Sequence, residues 1–337
     1  MPRRTLIAVV LALAALVVAG CGGSSDSQGD SATASSSSGG GKGENLSLVA
    51  YSTPEVVYDE IIPAFRKTPA GAGVSFKESF GASGEQSRAV EAGLPADVVS
   101  FSLEPDLTRL VDAGLVNKDW SDTPSKGLVT KSVVAFIVRK GNPKHIKTWD
   151  DLLKPGVEVL TPNPFTSGAA KWNLLAAYGA KGLPYVQKLI TEHVKVQDKS
   201  GREALQNFVS GTGDVLLSYE YEATTARRKG QDVDYVVPDD TILIENPIAV
   251  TTKAPSQAKA FLDYVLSKPA QEKFAEWGYR PVDQQVFDEH KSQFPTPAKL
   301  RTIRDLGGWG KINDQLFDPD NGSIAKIEER AGVSTDK

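Results

Sequence analysis

Four short stretches of this 337-residue chain set hydroxyl and small residues where an apolar run gives way to a helical pattern. They are Ser52-Thr53-Pro54-Glu55, Gly81-Ala82-Ser83-Gly84-Glu85-Gln86, Thr166-Ser167-Gly168-Ala169 and Lys199-Ser200-Gly201-Arg202-Glu203. A helix start carries N–H groups without partners in the helix and the positive end of the helix dipole. Two chemistries fit these residue types. One is capping: Ser52/Glu55, Ser83/Gln86 and Ser200/Glu203 all have the capping-box spacing. The other is anion binding, in which spare amides of several helix starts converge and small residues let the backbone come close. Capping alone does not explain why Gly or Ala sits beside the hydroxyl, above all at Gly168-Ala169-Ala170. The readings are compatible, because a capped start still has amides to spare.

Catalytic constellations are weaker. Gly81-Ala-Ser-Gly-Glu85 nearly imitates a G-x-S-x-G nucleophile elbow, but its fifth residue is Glu. His145, His193 and His290 are isolated and form no metal-binding spacing. A secreted Ser hydrolase therefore stands as a remote alternative that would need a histidine beside Ser83 or Ser167. Asp150-Asp151 follow Thr148 at the start of a short helix, where carboxylates complement the dipole. Trp172, at helical spacing with Leu175 and Ala176, reads as core, and Arg202 as a solvated surface arginine ahead of a supporting charge. No metal and no cofactor are expected.

The elements that must position the four turns alternate. Apolar strands are read at 46–51, 74–80, 96–102, 132–138, 157–160, 194–198, 215–219 and 242–246, with helical patterns after most of them and mostly helix beyond Ala254. Such alternation argues for an α/β chain with parallel strand pairs and helices on the sheet faces. In open sheets of this kind ligands bind beyond the carboxyl ends of strands, which is where the four turns lie. About 290 residues from Asn45 onward suggest two domains or lobes.

Arg3 and Arg4 precede an uncharged run from Leu6 to Gly20, too short to span a bilayer and suited to a signal peptide over 1–20. The run ends in Val18-Ala19-Gly20-Cys21, which resembles a bacterial lipobox, and Cys21 is the only cysteine. Lipidation at Cys21 and attachment to the cell membrane are expected, with no disulfide. Residues 21–44 hold no large apolar side chain and read as a disordered tether, about 80 Å at full stretch and nearer 25–30 Å relaxed. The formal charge is −4, and −6 once Arg3 and Arg4 leave, so a nucleic-acid partner is not expected.

With these residues in view, the chain resembles the bacterial sulfate-binding proteins of ABC importers, most of all the lipid-anchored actinobacterial type. The resemblance is carried by "TPNPFTSGAAKWNLLAAYG" (161–179), "SFGASGEQ" (79–86), "ADVVSFS" (96–102), "IVRKGNPKHIKTWDDLLKPGVEVLTPNP" (137–164), "GTGDVLLSYEYEA" (211–223), "YRPVD" (279–283) and "LGGWG" (306–310). It implies a two-lobed type II periplasmic-binding-protein fold: two mixed sheets flanked by helices, with crossover strands as hinge. The expected lobes are 45–134 with 243–337, and 135–242. It also implies a monomer that captures sulfate and delivers it to permease subunits. The donors it implies are the amides of Ser52, Ser83, Gly168, Ala169 and Gly201, the hydroxyl of Ser167 and the side chain of Tyr219.

The chain departs from the family pattern twice. Ser52-Thr-Pro-Glu-Val56 stands where many members have Asp-Pro-Thr-Arg-Glu, and Tyr219 stands where many have tryptophan. A phenol donates as an indole does but can also accept, and tyrosine resembles the choice of molybdate-binding relatives. Molybdate, tungstate and thiosulfate are thus the alternative ligands. None of the seven positions is a carboxylate, so a proton on phosphate would lack a strong acceptor, which favours an unprotonated oxyanion.

Overall fold

The computed structural model describes residues 44–335; the expectations for residues 1–43, Cys21 among them, lie outside it. The chain opens with β1 (Asn45–Tyr51), α1 (Glu55–Phe65), β2 (Ser75–Gly81), α2 (Ser83–Glu91), β3 (Val98–Ser100) and α3 (Glu104–Asp112). Next come β4 (Leu128–Arg139), β5 (Val159–Pro162), α4 (Gly168–Lys181), α5 (Leu183–Lys188), β6 (Val194–Asp198), α6 (Gly201–Val209), β7 (Val215–Tyr219), α7 (Glu220–Arg228) and β8 (Val233–Val236). The rest is β9 (Asp240–Val250), α8 (Ser256–Val265), α9 (Lys268–Glu276), β10 (Arg280–Pro281), α10 (Gln284–His290), β11 (Lys299–Arg301), α11 (Gly308–Ile312) and α12 (Ser323–Arg330). Among the described residues no helix is long and apolar enough to cross a membrane.

Strands β2-β1-β3-β9-β4-β7-β5-β6 are hydrogen-bonded in that order. Pairing is parallel on the flanks, β2/β1/β3 and β7/β5/β6, and antiparallel in the middle. The expected two mixed sheets are therefore joined into one path, because two long strands serve both. β4 pairs with β9 through Leu128–Val133 and then with β7 through Val134–Val138. β9 pairs with β4 through Leu243–Pro247 and with β3 through Ile248–Val250. The expected stretches 132–138 and 242–246 are shorter than these strands, because Thr130 and Lys131 interrupt the apolar pattern of β4 and Pro247 separates Ile248–Val250 from the rest of β9.

Side-chain alternation builds a layer on each face. In β1, Leu46, Leu48 and Ala50 enter the largest core cluster while Val49 enters a second, with Val99, Phe101 and Leu107. In β7, Val215, Leu217 and Tyr219 join the largest cluster while Leu216 faces Leu160, Leu205 and Phe208. Strands buried on both faces read as continuous apolar runs, which is why these were the easiest to find.

Several contacts tie the C-terminal segment to residues between 135 and 242. β11 pairs with the first residues of β9, Lys299–Arg301 against Asp240–Ile242, and Arg301 holds the Asp240 carboxylate through two bonds of 2.6 and 2.7 Å. Trp309 meets Trp172 of α4 edge-on at 4.9 Å, and Asn163 donates to the Ser334 carbonyl. On α12, Glu328 accepts from Gln197 of the edge strand β6 at 2.6 Å. The amphipathic face of α12 (Ile324, Ala325, Ile327) could cover either half as far as periodicity goes; the free edges of β9 and β6 decide which.

Glu328 is fully buried, and its second carboxylate oxygen has no partner among the described residues. Burial pushes its pKa from 4.5 up to about 7, against the pull of the Gln197 amide. The folded state thus holds the proton more tightly than the unfolded chain, so this group costs no stability below about pH 4.5 and a growing amount up to about pH 7. Glu328→Gln should raise the thermal midpoint at pH 8 by several degrees and leave it nearly unchanged at pH 4. The new amide can also donate to the Gln197 carbonyl oxygen, which is buried without a partner. Equal shifts at both pH values would remove the carboxyl as the cause.

Candidate functional site

The seven sequence-predicted positions meet. Ser52, Ser83, Ser167, Gly168, Ala169, Gly201 and Tyr219 all line one cavity, together with Tyr51, Thr53, Gly81, Ala82 and Ser102. None of these twelve residues is charged. The cavity is small, about 10 Å³, on the order of the space one ordered water needs, so any occupant is small.

Local structure explains how the backbone reaches it. α2, α4 and α6 begin at Ser83, Gly168 and Gly201, each straight after a strand end or a tight turn, and α1 begins three residues after Ser52. Among the described residues none of the amides of Ser52, Ser83, Gly168, Ala169 and Gly201 donates a hydrogen bond to the protein. Three helix dipoles therefore add their positive ends at one place. Gly168 is required sterically: a Cβ there would lie 2.5 Å from the Ser102 Oγ and 2.8 Å from the Leu103 Cγ. At Gly201 a Cβ would meet the Thr53 methyl at 3.3 Å.

Capping accounts for one of the three predicted boxes. Ser200 Oγ accepts from the Glu203 amide at 3.2 Å. Ser83 instead donates to the Asp106 carboxylate at 2.6 Å and accepts from the Ser102 amide at 3.0 Å. Ser52 lies two residues before the N-cap of α1, Pro54, and caps nothing. Ser167 is the N-cap of α4 by backbone geometry, yet its hydroxyl makes no capping bond. The start of α1 is shifted two residues beyond Ser52, and the N-cap of α2 is Ala82, one residue before Ser83, whose hydroxyl is held by tertiary partners. The Asp150-Asp151 expectation is met: Asp151 accepts from the amides of Lys147 and Thr148 at 2.8 Å each.

Tyr219 ends β7 and is 1% exposed. Burial drives its hydroxyl well above the ordinary value of 10, so it stays protonated and able to donate. Its ring stacks on Tyr221 at 4.9 Å and meets Tyr51 edge-on, and its hydroxyl lies 2.6 Å from Ser102 Oγ. Trp172 is buried core as expected, with its indole N–H donating to the Ser102 carbonyl at 2.9 Å.

Arg202 is not the solvated residue expected. Its guanidinium donates to the Thr53 carbonyl and lies 3.7 Å from the buried Glu222 carboxylate. Burial opposes the Arg202 charge, but Glu222, Tyr279 and Tyr221 hold its pKa up. Thr53 also shares a 2.7 Å hydrogen bond with Tyr221. These contacts join the turn after β1 to α6 and α7. The Gly84 amide, donating to the Thr166 carbonyl at 3.2 Å, does the same between α2 and the turn before α4.

The sequence reading missed Tyr51, Ser102, Asp106 and Glu222. Ser102 could have been found, since it closes "ADVVSFS" at a strand's carboxyl end just as the four turns do. Asp106 and Glu222 carry no local signal. The histidines lie elsewhere: His193 pairs with the Val157 carbonyl and His290 with Gln293, and no histidine lines the cavity.

An uncharged cavity with spare amides is fitted to a small ligand rich in acceptors. Comparison with known proteins points the same way. Residues 46–280 match the profile of a family described as bacterial extracellular solute-binding protein. The chain is 39% identical over 303 residues to a sulfate-binding protein of Synechococcus elongatus, covering 84% of this chain and 86% of that one. It is 34% identical to a thiosulfate-binding protein of Pseudomonas aeruginosa, over 80% of this chain and 91% of the relative. Among solved structures it is similar to the sulfate-binding protein SubI of Mycobacterium tuberculosis, at 50% identity and a TM-score of 0.79, covering 82% of this chain and all of that one.

The close approach at Gly168 gives a direct test. Gly168→Ala should push Ser102 and Leu103 away at an overpacking cost of about 1–3 kcal/mol. The measured outcome should be anion affinity reduced about fivefold or more in calorimetry, with the far-ultraviolet spectrum unchanged. Wild-type affinity in that variant would mean that the two walls are not brought this close on binding.

Proposed function

This chain belongs to the bacterial extracellular solute-binding proteins, and from that we propose that it captures sulfate in the cavity described above and delivers it to an ABC permease. The observation that carries the reading is the set of five main-chain amides, in four turns that line one uncharged cavity, that have no acceptor among the described residues. A sulfate dianion supplies acceptors on all four oxygens. Fixed N–H dipoles stabilise its charge without a buried cation, which would carry its own desolvation cost. Ser167 and Tyr219 complete the seven donors. The chain acts as a binding protein and not as an enzyme, in line with the solute-binding relatives.

In this reading the chain has two lobes, hinged where β4 and β9 pass between them. One holds residues 45–134 and the stretch from 243 to about 298; the other holds 135–242 with the C-terminal segment packed on it. Sulfate binds one lobe and stabilises the closed population, in which Arg202, Thr53 and Tyr221 meet. Residues 1–20 act as signal peptide, Cys21 carries lipid, and residues 21–44 tether a monomer to the outer face of the cell membrane. Thiosulfate is the second reading, on the strength of the Pseudomonas relative.

Calorimetry on protein beginning at Asn45, with sulfate, thiosulfate, molybdate and phosphate in turn, tests the ligand. Sulfate should bind and phosphate should not; a preference for another anion reassigns the substrate, and no binding at all defeats the reading. Ser167→Ala should weaken sulfate binding by about 1.5–3 kcal/mol, the range for a hydrogen bond to a charged group. An unchanged dissociation constant would take its hydroxyl out of the site. In cells, Cys21→Ala should abolish acylation, seen as loss of labelled fatty acid on the protein and release from the membrane fraction.

A further inference from the structure

We propose that Ser102 and Tyr219 act as a single donor to the bound oxyanion, which makes Ser102 a further ligand-binding residue of the site; the inference rests on the oxyanion reading above. Both residues line the cavity and both are 1% exposed. Their hydroxyl oxygens lie 2.6 Å apart, and either can be the donor. Among the described residues neither hydroxyl has another hydrogen-bond partner. Each hydroxyl carries one proton and can accept two bonds. Two protons are thus shared between two oxygens. One proton fills the bond between them, and the other has only the cavity to point into.

This count holds whichever way the bond runs. If Ser102 donates to Tyr219, the phenol donates to the anion. If Tyr219 donates to Ser102, the serine does. In both cases one donor faces the ligand, polarised by the hydroxyl behind it. Tyr219 is therefore not indispensable alone, because Ser102 can turn its proton to the anion when the phenol is gone.

The position of Ser102 is fixed by its own backbone. Its amide donates to Ser83 Oγ at 3.0 Å, and its carbonyl accepts from Trp172 Nε1 at 2.9 Å and Asn246 Nδ2 at 3.2 Å. The Gly168 Cα is so close that a Cβ there would lie 2.5 Å from Ser102 Oγ, so the hydroxyl pair and the first amide of α4 sit side by side. Ser102 follows β3 and Tyr219 ends β7, at opposite sides of the crossover strands, so the shared donor forms only when those sides are together.

A double-mutant cycle read by sulfate calorimetry tests this: wild type, Ser102→Ala, Tyr219→Phe and the double variant, each checked for folding by thermal unfolding without anion. Each single substitution should weaken binding less than about tenfold, and the double should exceed the product of the two by about fivefold or more. Losses that simply multiply overturn the proposal. So does Tyr219→Phe matching the double variant while Ser102→Ala matches wild type, and so does a cycle without any loss. A crystal structure of Tyr219→Phe with sulfate gives a second readout that does not need the double variant to fold. Ser102 Oγ should lie within hydrogen-bonding distance of a sulfate oxygen, and a serine turned away sinks the shared donor. Failure of the wild type to bind any oxyanion defeats the functional reading itself, and is seen before any substitution is made.

Discussion

Five main-chain amides, four at helix starts and one at Ser52, belong to residues that line one cavity, and none has an acceptor among the described residues. A buried N–H without a partner costs about 1–3 kcal/mol, so a site of this kind asks for a ligand made of acceptors. Backbone amides cannot be moved by rotamer changes. Their convergence has to be built into the strand order and the helix starts, and it holds only while the two sides of the cavity are in register. The rest of the architecture around the site serves that register.

Close approach is the first consequence. Gly168 brings α4 against Ser102, and Gly201 brings α6 against Thr53, at separations that a methyl group would violate or strain. Small residues at these positions are therefore a matter of distance and not of helix propensity, which glycine lowers. The bonds that cross the cavity follow the same logic. Arg202 reaches the Thr53 carbonyl, Tyr221 the Thr53 hydroxyl, and Trp172 the Ser102 carbonyl. Each couples a cavity-lining turn on one side to an element on the other.

Behind the cavity the charge is kept at one remove. Glu220 and Arg280 form a buried bidentate pair just past Tyr219, and Glu222 lies beside Arg202. Burial raises the pKa of Glu220 and Glu222, with Arg280 and Arg202 pulling the other way. Asp106, buried behind Ser83, is likewise raised. The carboxyls nearest the site are thus biased toward their neutral forms or matched by a guanidinium, which limits their repulsion of an anion. β4 and β9 pair antiparallel across the middle, β11 pairs with the first residues of β9, and Glu328 of α12 accepts from Gln197 of β6.

By itself the sequence determined the local part. Apolar runs buried on both faces marked β1, β7 and the middles of β4 and β9, because each residue there has a core partner. Small residues at strand ends marked Ser52, Ser83, Ser167, Gly168, Ala169 and Gly201, where close backbone approach disfavours larger side chains, whereas Tyr219 came from the family resemblance. Tertiary structure alone decided the rest. Whether Ser83 caps its helix or bonds Asp106, whether Arg202 faces water or Thr53, and which half α12 covers depend on residues 23 to 149 positions away. A periodic pattern says which face of an element is apolar but not what it meets, and a hydroxyl or guanidinium takes the best partner in space, which the local sequence cannot name.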